Sequence, residues 1–193
     1  MKIFGPLYDK VIAWAKHRNA PYYLAGLSFA ESSFFPIPPD VMLMPMALAR
    51  PERAWSFALL TTLMSVIGGI AGYFIGHFAL DLIQPLISEG GHWAEKYQTV
   101  SVWFEKWGFW AILVAGFSPI PYKIFTISAG ALSMAFAPFV LASFIGRGGR
   151  FFLVAGLLRW GGEKMERGMR KNIDLIGWLF VVLVVVVVYF LKR

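Results

Sequence analysis

Five ionisable side chains lie within segments that are otherwise apolar, and their types decide what chemistry the chain can perform. They are Glu31, Asp40, Lys123, Arg147 and Arg150. An isolated charge at the centre of a bilayer costs about 2.5–3.5 kcal/mol even on the most lenient insertion scale. Five such charges are tolerable only where they pair with one another or face water. We therefore predict that the two acids and three bases converge on one polar cavity.

The two arginines are suited to bind a phosphate group. Arg147 and Arg150 are three residues apart, so on a helix they share one face. Two planar guanidinium groups at this spacing match the oxygens of a phosphate. The alternative is that they only neutralise Glu31 and Asp40, and the sequence leaves both interpretations open.

The other three charges each have a functional and a structural interpretation. Glu31 has no basic neighbour in the sequence, and we predict that it exchanges a proton. Asp40 follows two prolines, so it either acts with Glu31 as a proton-dependent gate or serves only as the N-cap of the next helix. Lys123 either contacts the same anionic group as the arginines or extends towards the membrane surface.

A short proline motif occurs twice and positions these charges. It reads Pro-Ile-Pro-Pro-Asp over residues 36–40 and Pro-Ile-Pro-Tyr-Lys over residues 119–123. Proline fixes φ and lacks a donor, so each copy must break a helix. Broken backbone at membrane depth requires protein or a watery cavity around it. We predict two hairpin tips, in which Asp40 and Lys123 carry opposite charges and attract each other. The tip prolines are Pro36, Pro38, Pro39, Pro119 and Pro121.

The composition predicts the elements around these tips. The 193 residues are 58% hydrophobic, with a mean hydropathy of +0.63, which indicates an all-α polytopic membrane protein. The apolar limbs beside each motif are too short to cross about 30 Å of hydrocarbon, so each pair is predicted to be a re-entrant hairpin. With the helix that follows, each hairpin forms one unit of an inverted repeat. The chain is predicted to be a single membrane domain (1–193), divided into an interfacial amphipathic helix (1–19), a first hairpin and span (20–80), an interfacial loop and helix (81–107), a second hairpin and span (108–158), a basic connector (159–174) and a C-terminal span (175–193).

Glycines in the first span predict close helix packing. Gly68, Gly72 and Gly76 recur at four-residue intervals, and such spacing lets another helix approach closely. The sequence leaves open whether this face packs within the chain or forms a homodimer.

Charge and residue content exclude several functions. There is no cysteine, which rules out disulfides and thiolate metal sites. The net charge of +7 comes largely from basic residues at segment ends, which indicates a cytoplasmic N-terminus and not nucleic-acid binding. Residues 116–119 lack the second glycine of a nucleophile elbow, and no metal-ligand spacing appears, so we expect neither an enzyme nor a cofactor or metal.

The two hairpins in this order resemble the DedA family, also called VTT or SNARE-associated membrane proteins, and most of all its shorter YqaA-type branch. The resemblance rests on Glu31 with the first proline motif, and on Gly-Phe-Ser-Pro-Ile-Pro-Tyr-Lys over 116–123 followed by Ala-Gly-Ala over 129–131. It implies an inner-membrane lipid transporter or scramblase linked to proton motive force, in which Glu31 and Asp40 match essential acids. One position departs from the family pattern, since Gly116 stands where the second hairpin typically has arginine.

We therefore predict a flippase or scramblase for phospholipids or polyprenyl phosphates. The five charges would bind the phosphate head group and protons, and the chain would reside in the bacterial inner membrane. Two other functions fit the same sequence: an ion channel or small-ion transporter, and a structural membrane protein whose charges serve assembly.

Overall fold

A computed structural model describes residues 12–35, 37–87, 94–118 and 121–161 of the chain. Throughout these ranges the secondary structure is helical, without a strand. Several predictions lie outside the described residues and stay predictions: most of the first interfacial helix, Pro36 and Pro119 at the tips, most of the basic connector and the C-terminal span.

Six helices carry the described fold, apart from a short helical stretch at 12–15. They are α1 (Ala20–Ser33), α2 (Asp40–Ala49), α3 (Ala54–Ile87, preceded by a 3₁₀ turn at Pro51–Arg53), α4 (Ala94–Phe117), α5 (Tyr122–Ala131) and α6 (Phe136–Gly161).

Both proline motifs interrupt helical structure, as predicted. Between α1 and α2 the chain leaves helical geometry after Phe34, and Pro39 is the N-cap of α2. Pro121 is in turn the N-cap of α5. Asp40 is the first residue of α2, so its structural interpretation as an N-cap is wrong. Its carboxylate lies instead in the first helical turn, where the helix dipole favours a negative charge.

The predicted boundary between an interfacial helix and a second hairpin, at residues 107 and 108, is wrong. The helix α4 passes through it without interruption, and residues 81–87 belong to α3. Gly108 does not break α4 because it is buried against the ring of Phe104 and the sulfur of Met134. A glycine inside a helix costs about 1 kcal/mol, which such packing readily offsets.

Two of the described helical segments are long and apolar enough to cross a membrane, Pro51–Ala79 and Phe136–Gly161. About half of each apolar window is buried, and large apolar side chains also cover the outward faces. A helix that is hydrophobic all round requires an apolar environment on every side. The outer faces are therefore suited to lipid. They carry Leu59, Leu63 and Ile67 on α3, and Leu141, Leu153 and Leu157 on α6.

The two spans are antiparallel, and the short helices pack along them. Tyr73 of α3 contacts Phe139 near the start of α6, whereas Trp55 near the start of α3 stacks on Phe152 in the second half of α6. Along α3, the C-terminal end of α1 meets Gly68, and Tyr122 at the start of α5 meets Gly69. The two helices that flank the proline breaks thus meet near the middle of the first span.

The glycines of α3 form contacts within the chain. A Cβ atom at Gly68 would overlap the carbonyl of Phe29 in α1, and one at Gly76 would overlap the carbonyl of Ile127 in α5. Gly72 lies between Thr126 and the backbone of Ser32. This face is therefore occupied by α1 and α5.

We expect Gly76→Ala to destabilise the protein, because the added methyl group would push α5 away from α3. Overpacking of this kind costs about 1–3 kcal/mol. Gly26→Ala in α1 is the matched control, since nothing lies within 4 Å of its Cβ position and alanine favours helix. Thermal unfolding in detergent checks the pair. Equal melting temperatures for the two variants would show that α3 and α5 are not in close contact.

Candidate functional site

Arg147 lies near the middle of α6 with its side chain 1% exposed. Its Nη2 donates to the carboxylate of Glu31 in α1 and, at 3.3 Å, to the hydroxyl of Ser32. Its Nε donates to Ser65 Oγ in α3 at 2.6 Å. We call Arg147 with Glu31 the inner ion pair. It joins three helices at one buried point.

Hydroxyl groups and aromatic rings complete the surroundings of the inner ion pair. Ser32 Oγ lies 2.7 Å from Ser65 Oγ and 3.0 Å from the carboxylate of Glu31. The guanidinium of Arg147 lies 4.9 Å from the ring centre of Tyr122 and 4.7 Å from that of Phe151. Rings at this range attract a cation, more strongly when water is excluded. The buried charge therefore has both polar and aromatic partners.

Arg150 forms the outer ion pair with Asp40. Its Nη2 donates to Asp40 Oδ2 at 2.6 Å, and its Nη1 donates to the backbone carbonyl of Ser118 at 2.9 Å. The side chains are 19% and 16% exposed, so this pair is more accessible than the inner one. Because Ser118 directly follows α4 and Asp40 begins α2, one guanidinium connects the two interrupted regions of the chain.

Lys123 lies at the meeting point of the two breaks, at the start of α5. Its Nζ is 3.4 Å from the backbone carbonyl of Phe34, which follows the C-terminal end of α1. A helix C-terminus carries partial negative charge, which favours a cation there. The predicted attraction between Asp40 and Lys123 is not what the structure shows, because Arg150 from the spanning helix takes the carboxylate of Asp40.

All five predicted residues thus belong to one region, where the two breaks meet the middle of the spans. Each acid is held by one arginine, and Lys123 is left with a carbonyl partner and without a carboxylate in the described part of the chain. The group therefore carries one formal positive charge in excess. Such an excess at the boundary of a buried site favours an anion.

Sequence reasoning missed the residues that hold Arg147 in place. Ser32, Ser65 and Tyr122 are buried and contact its side chain or its partners, and Tyr122 in turn donates to Ser143. A signal was present in α1, where Ser28 and Ser32 recur at helical spacing on the buried face. α3 carries the same signal, since Thr61 and Ser65 are four residues apart and both buried, whereas Ser143 is the single serine of α6.

Gly116 lies directly against the backbone of α6. A Cβ atom there would sit 3.2 Å from the backbone nitrogen of Arg147 and 3.3 Å from Gly146. An arginine side chain at this position would have to push the two helices apart. The close contact of α4 and α6 thus gives a physical reason why glycine, and not the arginine that is typical of the second hairpin, occupies position 116.

Among the residues at 12–35, 37–87, 94–118 and 121–161, no three His, Asp or Glu side chains cluster in a way that could hold a metal ion.

Comparison with known proteins gives matches over most of the chain. The VTT domain model matches residues 37–159, which begin within the first break and include the second break and all of the predicted charges except Glu31. A Haemophilus influenzae protein described only as uncharacterized is 52% identical over the full length of both chains. The inner membrane protein YqaA of Escherichia coli is 23% identical, covering 72% of this chain and 94% of its own.

A third relative is undecaprenyl phosphate transporter A of Staphylococcus aureus. It is 25% identical over 58% of this chain and 59% of its own. No solved structure matches the chain. With the domain model covering well over half of its residues, the chain is a membrane protein that belongs to the VTT domain family, also known as the DedA family.

Proposed function

We propose that the protein transports a phosphate-bearing lipid between the leaflets of the bacterial inner membrane, with its N-terminus in the cytoplasm. The observation that carries this proposal is the buried group of charges with one cation in excess, placed where two helix breaks meet the middle of the spans. A phosphate head group needs such a partner to pass through hydrocarbon. The two units would then be inverted re-entrant repeats that share one site.

The outer ion pair is the part of the site that meets the head group. Arg150 is partly exposed, and its bond to the Ser118 carbonyl fixes the guanidinium while leaving Nη2 on a carboxylate that a phosphate can replace. Charge-assisted bonds from a guanidinium to phosphate and to carboxylate are of similar strength. Asp40 and the substrate would therefore alternate on Arg150, with Lys123 as the second cation.

The inner ion pair is more deeply buried and has a role separate from the exchange of Asp40 and substrate on Arg150. Arg147 is too deeply buried to meet a head group in this conformation, so its role is to hold Glu31 and to join α1, α3 and α6. Protonation of Glu31 removes the negative partner of Arg147 and loosens this junction. This is how a proton gradient would couple to movement of the first hairpin.

The names of two relatives support the substrate class and the location. The Staphylococcus aureus relative is named as a transporter of undecaprenyl phosphate, and the Escherichia coli relative as an inner membrane protein. A polyprenyl phosphate and a phospholipid share an anionic phosphate on an apolar anchor. Arg150 and Lys123 would recognise that shared group.

Leaflet-resolved transport in liposomes tests the proposal. Purified protein is reconstituted with a labelled phospholipid or a labelled polyprenyl phosphate, with and without a pH gradient, and movement to the opposite leaflet is followed over time. We expect faster movement than in protein-free liposomes for at least one of the two lipids. Ion flux without lipid movement would instead identify a channel, and neither activity would favour a structural role.

We expect Lys123→Gln to slow this transport about fivefold, because it removes one partly exposed cation worth about 1 kcal/mol. The carbonyl of Phe34 would keep a hydrogen-bond donor, so folding should be little affected. Lys16→Gln is the matched control, since Lys16 is exposed and distant in sequence from both breaks. Equal transport rates for Lys123→Gln and Lys16→Gln would show that Lys123 does not contact the head group.

A further inference from the structure

An apolar groove lies beside the charged site, between α4 and α5. It has a volume of about 350 Å³, and none of the described residues that line it is charged. Three tryptophans at helical spacing form one wall, and a phenylalanine of α5 forms the other. The lining residues are Trp103, Trp107, Trp110, Ala111, Val114, Ala115 and Phe125. The groove exists because the two alanines leave space between these large side chains.

Along α6, the groove extends from near the middle of this span to beyond its start. Gly108 of α4 contacts Met134 just before α6 begins, and Gly116 contacts Arg147 near the middle of α6. This part of α4 therefore runs from one end of a span to its centre. From Trp107 to Val114 the helix rises about 10 Å, which fits within one leaflet, half of a hydrocarbon layer of about 30 Å, and Trp103 lies one turn further towards the membrane surface.

The inner end of the groove lies one helical turn from a partner of the outer ion pair. Ser118 lies one turn beyond Val114 and accepts a hydrogen bond from Arg150 through its carbonyl. A molecule with an anionic group on Arg150 and a slender apolar tail could place that tail along the tryptophans. The apolar groove and the carbonyl that holds Arg150 thus lie on one face of α4, one helical turn apart.

The size of the groove favours a chain over a helix. A helix with its side chains is about 10 Å wide, and helices in contact, as α4 and α5 are, have their axes only about 8–10 Å apart. Such a helix could only lie across the rim. A single hydrocarbon chain is narrow enough to lie between Trp110 and Phe125.

We propose that this groove binds one hydrocarbon chain of the transported lipid while its phosphate is on Arg150. The proposal rests on the proposed function and specifies how the lipid is bound when it is halfway between the two leaflets. A lipid that slides from the far leaflet without turning over would have its head group at mid-depth and its chain in the near leaflet. The start of the chain would lie at Val114 and its end at Trp103. An ordinary lipid of the near leaflet has the opposite order, with the start of its chain at the level of Trp103 and the end of its chain at the level of Val114.

Photo-crosslinking with two probes tests this order. Vesicles of phosphatidylethanolamine and phosphatidylglycerol would contain phosphatidylglycerol with a diazirine either next to the ester or at the end of one acyl chain. We expect the first probe to label Val114 and Phe125, and the second to label Trp103 and Trp107. The outer face of α6 around Leu141 supplies an internal control, because it should contact ordinary lipids of the bilayer. There the ester-side probe should label near the membrane surface and the chain-end probe near the bilayer centre.

A variant that fills the groove provides the second measurement. Ala111→Trp should reduce groove labelling at least about fivefold, which corresponds to about 1 kcal/mol of lost binding. Leu141→Trp on the exposed face of α6 is the matched control and should leave groove labelling unchanged. Size-exclusion profiles establish that both variants fold. If Ala111→Trp does not fold, the positions that the two probes label on the unmodified protein still decide the proposal.

Three outcomes overturn the proposal. In the first, the ester-side probe labels Trp103 and the chain-end probe labels Val114, as for an ordinary lipid. In the second, neither probe labels the groove, because residues 175–193 or a second copy of the chain fills it. In the third, Ala111→Trp does not reduce the labelling. If lipid transport persists in such a case, only the groove assignment fails. Reversed depth order without any transport would mean that the chain site stands and the transport function fails.

Discussion

Replacing Glu31 by alanine should destabilise the folded protein by about 3–5 kcal/mol, because it leaves the guanidinium of Arg147 buried without its carboxylate. The side chain of Arg147 is 1% exposed, so water cannot replace the lost partner without opening the helix junction. Ser32 and Ser65 would still accept or share hydrogen bonds, but neither carries charge. Unfolding in detergent, followed by heating or by denaturant, measures the loss.

Two comparisons separate this effect from a general loss of an acid. Glu52→Ala removes an exposed carboxylate from the 3₁₀ turn, and its effect should stay within about 0.5 kcal/mol. Replacing both partners, as in Glu31→Gln with Arg147→Met, should recover much of the stability because no buried charge remains. A double-mutant cycle gives the coupling energy. Equal stability of Glu31→Ala and Glu52→Ala would contradict the inner ion pair.

The double variant also distinguishes transport from assembly. It should fold and yet transport lipid poorly, because the proposed proton-dependent element has been removed. If these charges served only assembly, transport per folded molecule would be unchanged. Stability and activity therefore have to be measured on the same preparations.

The sequence was sufficient to predict the breaks and the convergence of charge. Two prolines in three residues cannot continue a helix, so the interruptions before Asp40 and before Tyr122 follow from covalent structure. Convergence of the five charges follows from the high cost of isolated charge in hydrocarbon. Both arguments are independent of the detailed packing, and the described structure agrees with both.

The sequence offered the two arginines as partners of Glu31 and Asp40, but it could not decide which acid pairs with which base. Glu31 and Arg147 are separated by 116 residues, and Asp40 and Arg150 by 110. Charge balance alone allowed Asp40 to pair with Lys123 just as well. The observed choice depends on the distance between α2 and α6 and on the direction of each side chain.

Helix continuity at Gly108 could not be predicted for a similar reason. Glycine weakens a helix only slightly, and buried contacts with Phe104 and Met134 decide the result. These contacts come from the turn that precedes α6 and from a preceding turn of α4. Local sequence therefore predicted the wrong boundary, while the apolar pattern predicted the two spans that the described residues contain; the predicted C-terminal span lies outside them.

Arg150→Gln should reduce the rate of lipid transport about 10- to 150-fold, because a hydrogen bond to a charged group is worth about 1.5–3 kcal/mol. The outer ion pair is partly exposed, so the same change should cost only about 1 kcal/mol of stability. Arg159→Gln is the matched control, since Arg159 lies over the ring of Trp55 near the end of α6. Equal loss of transport in both variants would remove Arg150 from the site.

The partner of Arg150 should show the opposite effect on substrate affinity. In the proposed exchange, Asp40 competes with phosphate for Nη2 of Arg150, so Asp40→Asn should lower the lipid concentration that gives half-maximal transport. Arg150→Gln should raise that concentration. Asp40→Asn should also lower the maximal rate, because a carboxylate is no longer present to displace the departing phosphate. If both variants weakened affinity alike, Asp40 would be part of the binding surface, and release of the lipid would need another cause.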